Sequence, residues 1–386
     1  MRPSLIALLC VTIFSSTLMI GAFPVLLPEI GKSHGLADWQ LGALAGVFGL
    51  ARMLSDLPVG LFVTHHLRRA LVLAPFVLAG GLLLLASGGP FGALLLGRGL
   101  MGLGHTLGML AGLTAILKFP SGWALASALN AYELSAMLGI LAATVTIGLL
   151  PGTLAWNGAL LVTGTPQIAG ILVVPAILAA LPRGTSVHRA PLFARSAPGA
   201  SAAESLTPLV LLAFATGSAI ALAYSMMEQF VLPVRGTREF GLDRAGVARL
   251  LMTIQFVDIA ALMPVGVLSD RLGPRPVLGV IVLVLAAAAV LIAFGGLPLA
   301  VAGCVLFGFG MTGWMLPLSV LRAETPPSLI AWRTAVYRVA VDGGMFCGPF
   351  ASGLLAGRTG GLLPALLAGV LLTLGILLLR SRPSRR

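Results

Sequence analysis

Long apolar stretches run through this chain, broken at short intervals by polar clusters. Twelve of them reach or approach the roughly 20 residues that a helix needs to cross hydrocarbon. They lie at about 4–28, 39–63, 70–88, 91–117, 122–150, 159–181, 207–234, 242–268, 275–295, 297–322, 327–357 and 361–380. Such segments must be helical, because inside a bilayer every backbone N–H and C=O has to be satisfied within its own segment unless a barrel closes. The period-two alternation of a barrel is absent. The first run follows Arg2. It is too long for the apolar core of a secretory signal and eleven more follow it, so it reads as the first span.

The polar breaks set the orientation. With both termini cytoplasmic, fifteen of the 24 lysines and arginines fall inside, six fall outside, and Arg52, Arg98 and Arg338 lie within spans. The positive-inside rule therefore places both termini in the cytoplasm of a multi-pass protein of the inner (plasma) membrane. Residues 182–206, PRGTSVHRAPLFARSAPGASAAESL, are rich in Pro, Ala, Ser and Arg and have no long apolar run. They read as a flexible cytoplasmic linker. The chain then divides into a six-helix bundle over 1–181, the linker, and a second six-helix bundle over 207–386 with a basic tail.

The two halves repeat each other at an offset of 205 or 206. Leu27-Pro28 matches Leu232-Pro233, Gly35-Leu36 matches Gly241-Leu242, and Pro58-Val59-Gly60 matches Pro264-Val265-Gly266. Gly102-x-Gly104 matches Gly308-x-Gly310, and Tyr132 matches Tyr337. Parallel six-span repeats are the architecture of a transporter whose substrate site lies between two moving halves.

Composition agrees. The chain of 386 residues is 58% hydrophobic and 9% charged, against about 25% charged in soluble domains, and its mean hydropathy is +1.04. The net charge of +12 faces anionic headgroups, and no basic aromatic platform suggests nucleic acid. Cys10, Cys304 and Cys347 all fall within spans without CxxC spacing, which supports neither a disulfide framework nor a metal site. No phosphate-binding GxxxxGKS, zinc HExxH or serine elbow occurs, so neither nucleotide-driven transport nor enzyme chemistry is expected, and no cofactor.

Three stretches carry a resemblance. Gly266-x-x-x-Asp270-Arg271-x-Gly273-Pro274-Arg275 resembles the loop motif of the major facilitator superfamily, found between its second and third spans and again between its eighth and ninth. Arg98-x-x-x-Gly102-x-Gly104 resembles that family's arginine motif in span 4, and Gly344-x-x-x-Gly348-Pro349-x-x-x-Gly353 its glycine-proline motif, here in span 11. In the first-half loop Thr64, His65 and Leu67 stand where the motif has Asp, Arg and Gly, and span 5 carries SAMLGILAA where drug/proton antiporters usually show Gly-Pro. The resemblance implies twelve helices in two pseudo-symmetric bundles, alternating access and a small solute. It also implies that spans 2 and 11, and spans 5 and 8, pack across the interface. Asp270 would accept N–H bonds at the N-terminus of span 5, latching the cytoplasmic side; a plain positive-inside turn is the other reading of this stretch.

Ionisable residues within spans are costly and mark functional paths. There are eight: Arg52, Asp56, Arg98, Glu133, Glu228, Asp258, Arg338 and Asp342. Depths counted at about 1.5 Å per residue from the cytoplasmic ends set Asp56 opposite Arg338 and Arg52 opposite Asp342, a neutral cluster between spans 2 and 11. By the same count Glu133 on span 5 and Asp258 on span 8 lie at about the same depth, where neither helix offers a base. Two such carboxylates cannot both stay ionised in low dielectric, so they are the proton-carrier candidates. Arg98 could reach Glu133, either responding to its protonation or holding two helices in a static pair. His105, one turn pair beyond Arg98, either relays protons or packs. Glu228 is placed near the outer end of span 7, as a rim or binding group. Tyr132, Tyr224, Gln229, Gln255, Trp314 and Tyr337 complete the groups placed to line a cavity.

The expected function is proton-coupled export of a small organic molecule by a monomeric inner-membrane carrier. A proton-linked importer, and a scaffold or sensor that keeps the fold without transport, remain the alternatives.

Overall fold

The computed structural model describes residues 5–119, 125–181, 207–325, 329–356 and 361–381, and among them every regular element is helical. The expected linker at 182–206, Arg358, and the extreme termini with Arg2, Arg382, Arg385 and Arg386 lie outside the described residues. In chain order the helices are α1 (Leu5–His34), α2 (Asp38–Ala86), α3 (Phe91–Lys118), α4 (Leu125–Leu149), α5 (Trp156–Gly164), α6 (Gln167–Leu172), α7 (Val174–Ala180) and α8 (Pro208–Ala223). A π-helix (Tyr224–Val231) continues α8 into α9 (Leu232–Arg238), followed by α10 (Arg244–Leu272), α11 (Pro274–Phe294), α12 (Leu297–Met311), α13 (Leu316–Ala323), α14 (Ile330–Leu355) and α15 (Leu362–Arg380).

The described residues contain 10 helical stretches long and apolar enough to cross a membrane. The twelve apolar runs all fall on helix, but not as twelve separate helices. Asp38–Ala86 holds two helices that meet directly at a kink at His66 (φ −132°, ψ 41°), and they carry the second run and most of the third. No loop separates them: the worn first-half motif has lost its glycine, and Arg68 instead donates to the Leu181 carbonyl at 2.9 Å. The second-half motif keeps Gly273, whose φ of 86° ends α10 and lets Pro274 start α11 at once. Run 6 is split into α5–α7 around Pro166 and Pro175, and run 10 is interrupted before Pro317, as expected where proline removes a backbone donor. Run 11 is α14, which carries Arg333, Arg338 and Asp342.

The internal repeat extends to close packing. A Cβ at Gly102 would press on the Phe48 carbonyl, and one at Gly308 on the Ile254 carbonyl; Phe48 and Ile254 are themselves 206 apart. Gly104 is held against the Leu78 backbone, whereas Gly310 is held against the Leu285 side chain. Gly102, Gly104 and Gly308 thus let one helix ride on its neighbour's backbone.

Two seams join the helices before 182 to those after 206: α2 against α14, and α4 against α10. On α2 the α14-facing positions are Gly42, Gly46, Gly49, Met53 and Asp56, spaced by three or four. A Cβ at Gly46 would come 2.7 Å from the Phe346 carbonyl oxygen and one at Gly49 2.8 Å from the Phe346 nitrogen. Backbone-on-backbone contact therefore closes this seam toward the α1–α2 turn, hereafter the far face; the face carrying the termini is the terminal face.

Candidate functional site

Where the glycine stripe ends, the charges begin. Arg52 and Asp342 pair at 2.8 Å, and the Arg338 Nε lies 3.5 Å from Asp56. The acids Asp56 and Asp342 are close enough to interact as well, so two bases and two acids share one knot between α2 and α14. Phe48 lies behind it, with the Arg52 guanidinium 5.8 Å from its ring and His105 5.8 Å away on α3.

Arg98 does not reach Glu133. The side chain is 1% exposed and its guanidinium is clasped between Phe23 of α1 at 3.8 Å and Phe48 of α2 at 4.6 Å, with Nε and Nη1 lacking hydrogen-bond partners. Cation–π contact takes the place of the expected carboxylate. Tyr132 and Tyr337 are both buried and lie apart from the groups at the α4–α10 seam; Tyr132 lines a separate cavity within the first half, with Ile13, Leu78 and Gln167. Tyr132 covers Gly112 and donates weakly to the Gly108 carbonyl at 3.5 Å, while Tyr337 covers Gly217. Each tyrosine fills space that a glycine on the adjacent helix vacates.

Glu228 is corrected too. Its helix runs on to Arg238, ten residues beyond, which puts the carboxyl about 15 Å from the helix end. At 3% exposure it is buried, and it accepts a hydrogen bond from Gln255 Nε2 at 3.3 Å. The π-helix brings Tyr224, Glu228 and Gln229 together: Gln229 donates to the Tyr224 hydroxyl at 2.9 Å, and Tyr224 meets Trp314 edge-on at 5.7 Å. π-Helical turns of this kind recur at functional sites.

These groups face a small cavity of about 50 Å³ lined by Tyr224, Glu228, Ile254, Gln255, Asp258, Ile259 and Met311 on one side and by Met137 and Ile140 of α4 on the other. Asp258 is within electrostatic reach of both Glu133 and Glu228. Glu133, exposed at the α4–α10 seam, also feels Arg338 and Arg52. Three acids thus run in line across the seam, from α4 through α10 to the π-helix, with the paired arginines at one end. Among the described residues no group of His, Cys, Asp and Glu is arranged to hold a metal.

At the far face stands a connection that charge counting alone did not single out. Arg244, at the start of α10, donates to both carboxylate oxygens of Glu29 on α1, at 2.7 and 2.5 Å, and to the carbonyls of Leu154 at 2.7 Å and Pro151 at 3.3 Å. Arg238 pairs with Asp38 at 2.7 Å. The available signal was two acids and three arginines at the same span ends in a chain with 12 acids in all. At the terminal face Asp270 and Arg271 are exposed, and among the described residues Asp270 makes no hydrogen bond or ion pair. Residues 120–124, the expected partner at the start of span 5, lie outside the described residues.

Comparison with known proteins agrees with the fold. No curated protein matches the chain. Solved structures do: the nucleoside transporter NupG (13% identity, TM-score 0.76, 97% of this chain and 98% of that one), a bacterial homologue of the human lysosomal transporter Spinster (18%, TM-score 0.70, 97% and 94%) and the human organic anion transporter MFSD10 (19%, TM-score 0.68, 97% and 98%). At these identities the likeness speaks for the fold. The family model of the Major Facilitator Superfamily matches residues 9–248 and 206–386, and with the paired seams, the repeated glycine packing and the all-helical span set, this multi-pass membrane protein belongs to the major facilitator superfamily of transporters.

Proposed function

We propose that the chain is a proton-coupled secondary transporter that exports a small organic molecule by alternating access. It works as a monomer in the inner membrane, with 1–181 and 207–386 as the two bodies that rock and 182–206 as their cytoplasmic tether. The observation that carries this reading is the line Glu133–Asp258–Glu228 at the seam, beside a pocket built from both halves. Carboxylates so placed repel one another in low dielectric, and a proton relieves the repulsion. Because helices of both halves contribute to the pocket, any rocking motion changes its electrostatics. The Arg244–Glu29 and Arg238–Asp38 pairs fit a state closed on the outer side.

The test is a flux measurement in proteoliposomes with an imposed pH gradient, using whichever solute stabilises the purified protein. Proton-driven accumulation that Glu133→Gln and Asp258→Asn each reduce at least ten-fold, with counterflow retained, is the expected result. A flux indifferent to the gradient, or to both substitutions, removes the proton; accumulation in the import direction reverses the polarity.

A further inference from the structure

The pocket between α4, α10 and the π-helix has an unbalanced polar lining. Gln255 is 8% exposed. Its Nε2 is engaged by Glu228, and its Oε1 is buried with no partner. The amide must turn its N–H to the carboxylate, so the carbonyl oxygen is left facing nothing. Asp258 Oδ1 is likewise buried without a partner. The buried side-chain atoms of this cavity that lack any partner are therefore acceptors. The fixed cations nearest the acid line, Arg52 and Arg338, already hold Asp342 and Asp56, and Arg98 stands walled behind Phe23 and Phe48.

An anion entering this space meets two carboxylates and a bare carbonyl. A neutral solute without donors leaves those acceptors desolvated, at a cost of about 1–3 kcal/mol each. A cation with N–H groups on an apolar body answers both needs. Met137 and Met311, with three isoleucines, supply a surface that adapts to varied apolar shapes. Tyr224 adds a ring face for a positive charge.

We propose that the solute bound here is a small organic cation: a protonated amine on an apolar or aromatic body, its ammonium held by Asp258 and Glu228 and hydrogen-bonded to the Gln255 carbonyl. This rests on reading the pocket as the transport site.

The test uses purified full-length protein and a panel of benzylammonium, phenethylammonium and adamantylammonium chlorides. Each is compared with its carboxylate and alcohol counterpart at fixed ionic strength, with thermal unfolding as the readout. The ammonium members are expected to raise Tm, and their counterparts to leave it unchanged at equal concentration. The isosteric Glu228→Gln and Asp258→Asn each weaken the best ammonium at least ten-fold, and the double variant abolishes its effect. The wild-type panel decides the charge preference even where a variant fails to fold. Stabilisation by a carboxylate or an alcohol equal to that of its ammonium partner, no stabilisation by any ammonium, or an affinity unchanged in both variants overturns the proposal. Failure here is separable from failure of proton coupling. A non-cationic solute moved in a Glu133-dependent, gradient-driven way would leave the transporter reading intact and remove the amine. Glu228-dependent ammonium binding without gradient-driven flux would do the reverse.

Discussion

Phe48 touches Arg98 on one side and lies against Arg52 and His105 on the other, so one ring separates an unpaired guanidinium from a four-charge knot. Within that knot each base already has an acid, and exchanging the signs of one pair should preserve the arrangement. Reversing Asp56 alone leaves a buried like-charge contact with Arg338, a change of the class that costs about 3–5 kcal/mol. Asp56→Arg is therefore expected to lower Tm markedly and to abolish transport. Combining it with Arg338→Asp should recover at least half of the lost Tm, as read by thermal unfolding of the two variants side by side. No recovery would show that the pair contributes nothing to holding α2 on α14. The pairing was legible from spacing, because i and i+4 charges on two antiparallel helices at matched depth have few alternatives. The fate of Arg98 was not, since helix register fixes where a side chain starts but not whether a ring or a carboxylate receives it. Glu228 escaped for a related reason: a span end read from hydropathy alone misses the further turns through which α9 continues to Arg238.

At the scale of elements, the α2–α14 seam depends on glycines that let two backbones touch. The Gly46 position tolerates no Cβ without moving the Phe346 carbonyl, so Gly46→Ala should loosen the far face. Ala248, whose methyl group lies against Gly148 across the other seam, is a suitable reporter. With Cys10, Cys304 and Cys347 replaced, Ala248→Cys should react slowly with a membrane-impermeant maleimide. Adding Gly46→Ala should speed labelling several-fold, whereas an unchanged rate would mean that the seam does not control access. Hydropathy revealed the spans as apolar runs, but could not show that two of them meet at a bare kink with no loop between. The turn near His66 has neither glycine nor proline to announce it, while Gly273-Pro274 announces the equivalent turn plainly.

For the molecule as a whole, Arg244 ties three segments together at the far face: α1 through Glu29, the α4–α5 turn through Pro151 and Leu154, and its own helix. Hydrogen bonds to charged groups contribute about 1.5–3 kcal/mol each, enough to shift a two-state balance by ten-fold or more. Glu29→Gln together with Arg238→Ala is expected to raise labelling of the Ala248→Cys reporter at least ten-fold and to slow solute turnover. Equal labelling in the paired variant and its parent would show that these contacts do not set the resting state. The sequence offered charges at matching span ends but not their pairing, because Glu29 and Arg244 are 215 positions apart and share no repeat relationship.

The line of acids across the seam has one more consequence on this reading. If all three sites are vacant, any swing that brings the lobes together on the terminal side compresses negative charge against negative charge midway through the stroke. An idle carrier would stall there, whereas one bearing a hydron or a positively charged passenger passes through. The same arrangement that recognises cargo would then suppress slippage, and the gradient would be drained only when something is carried.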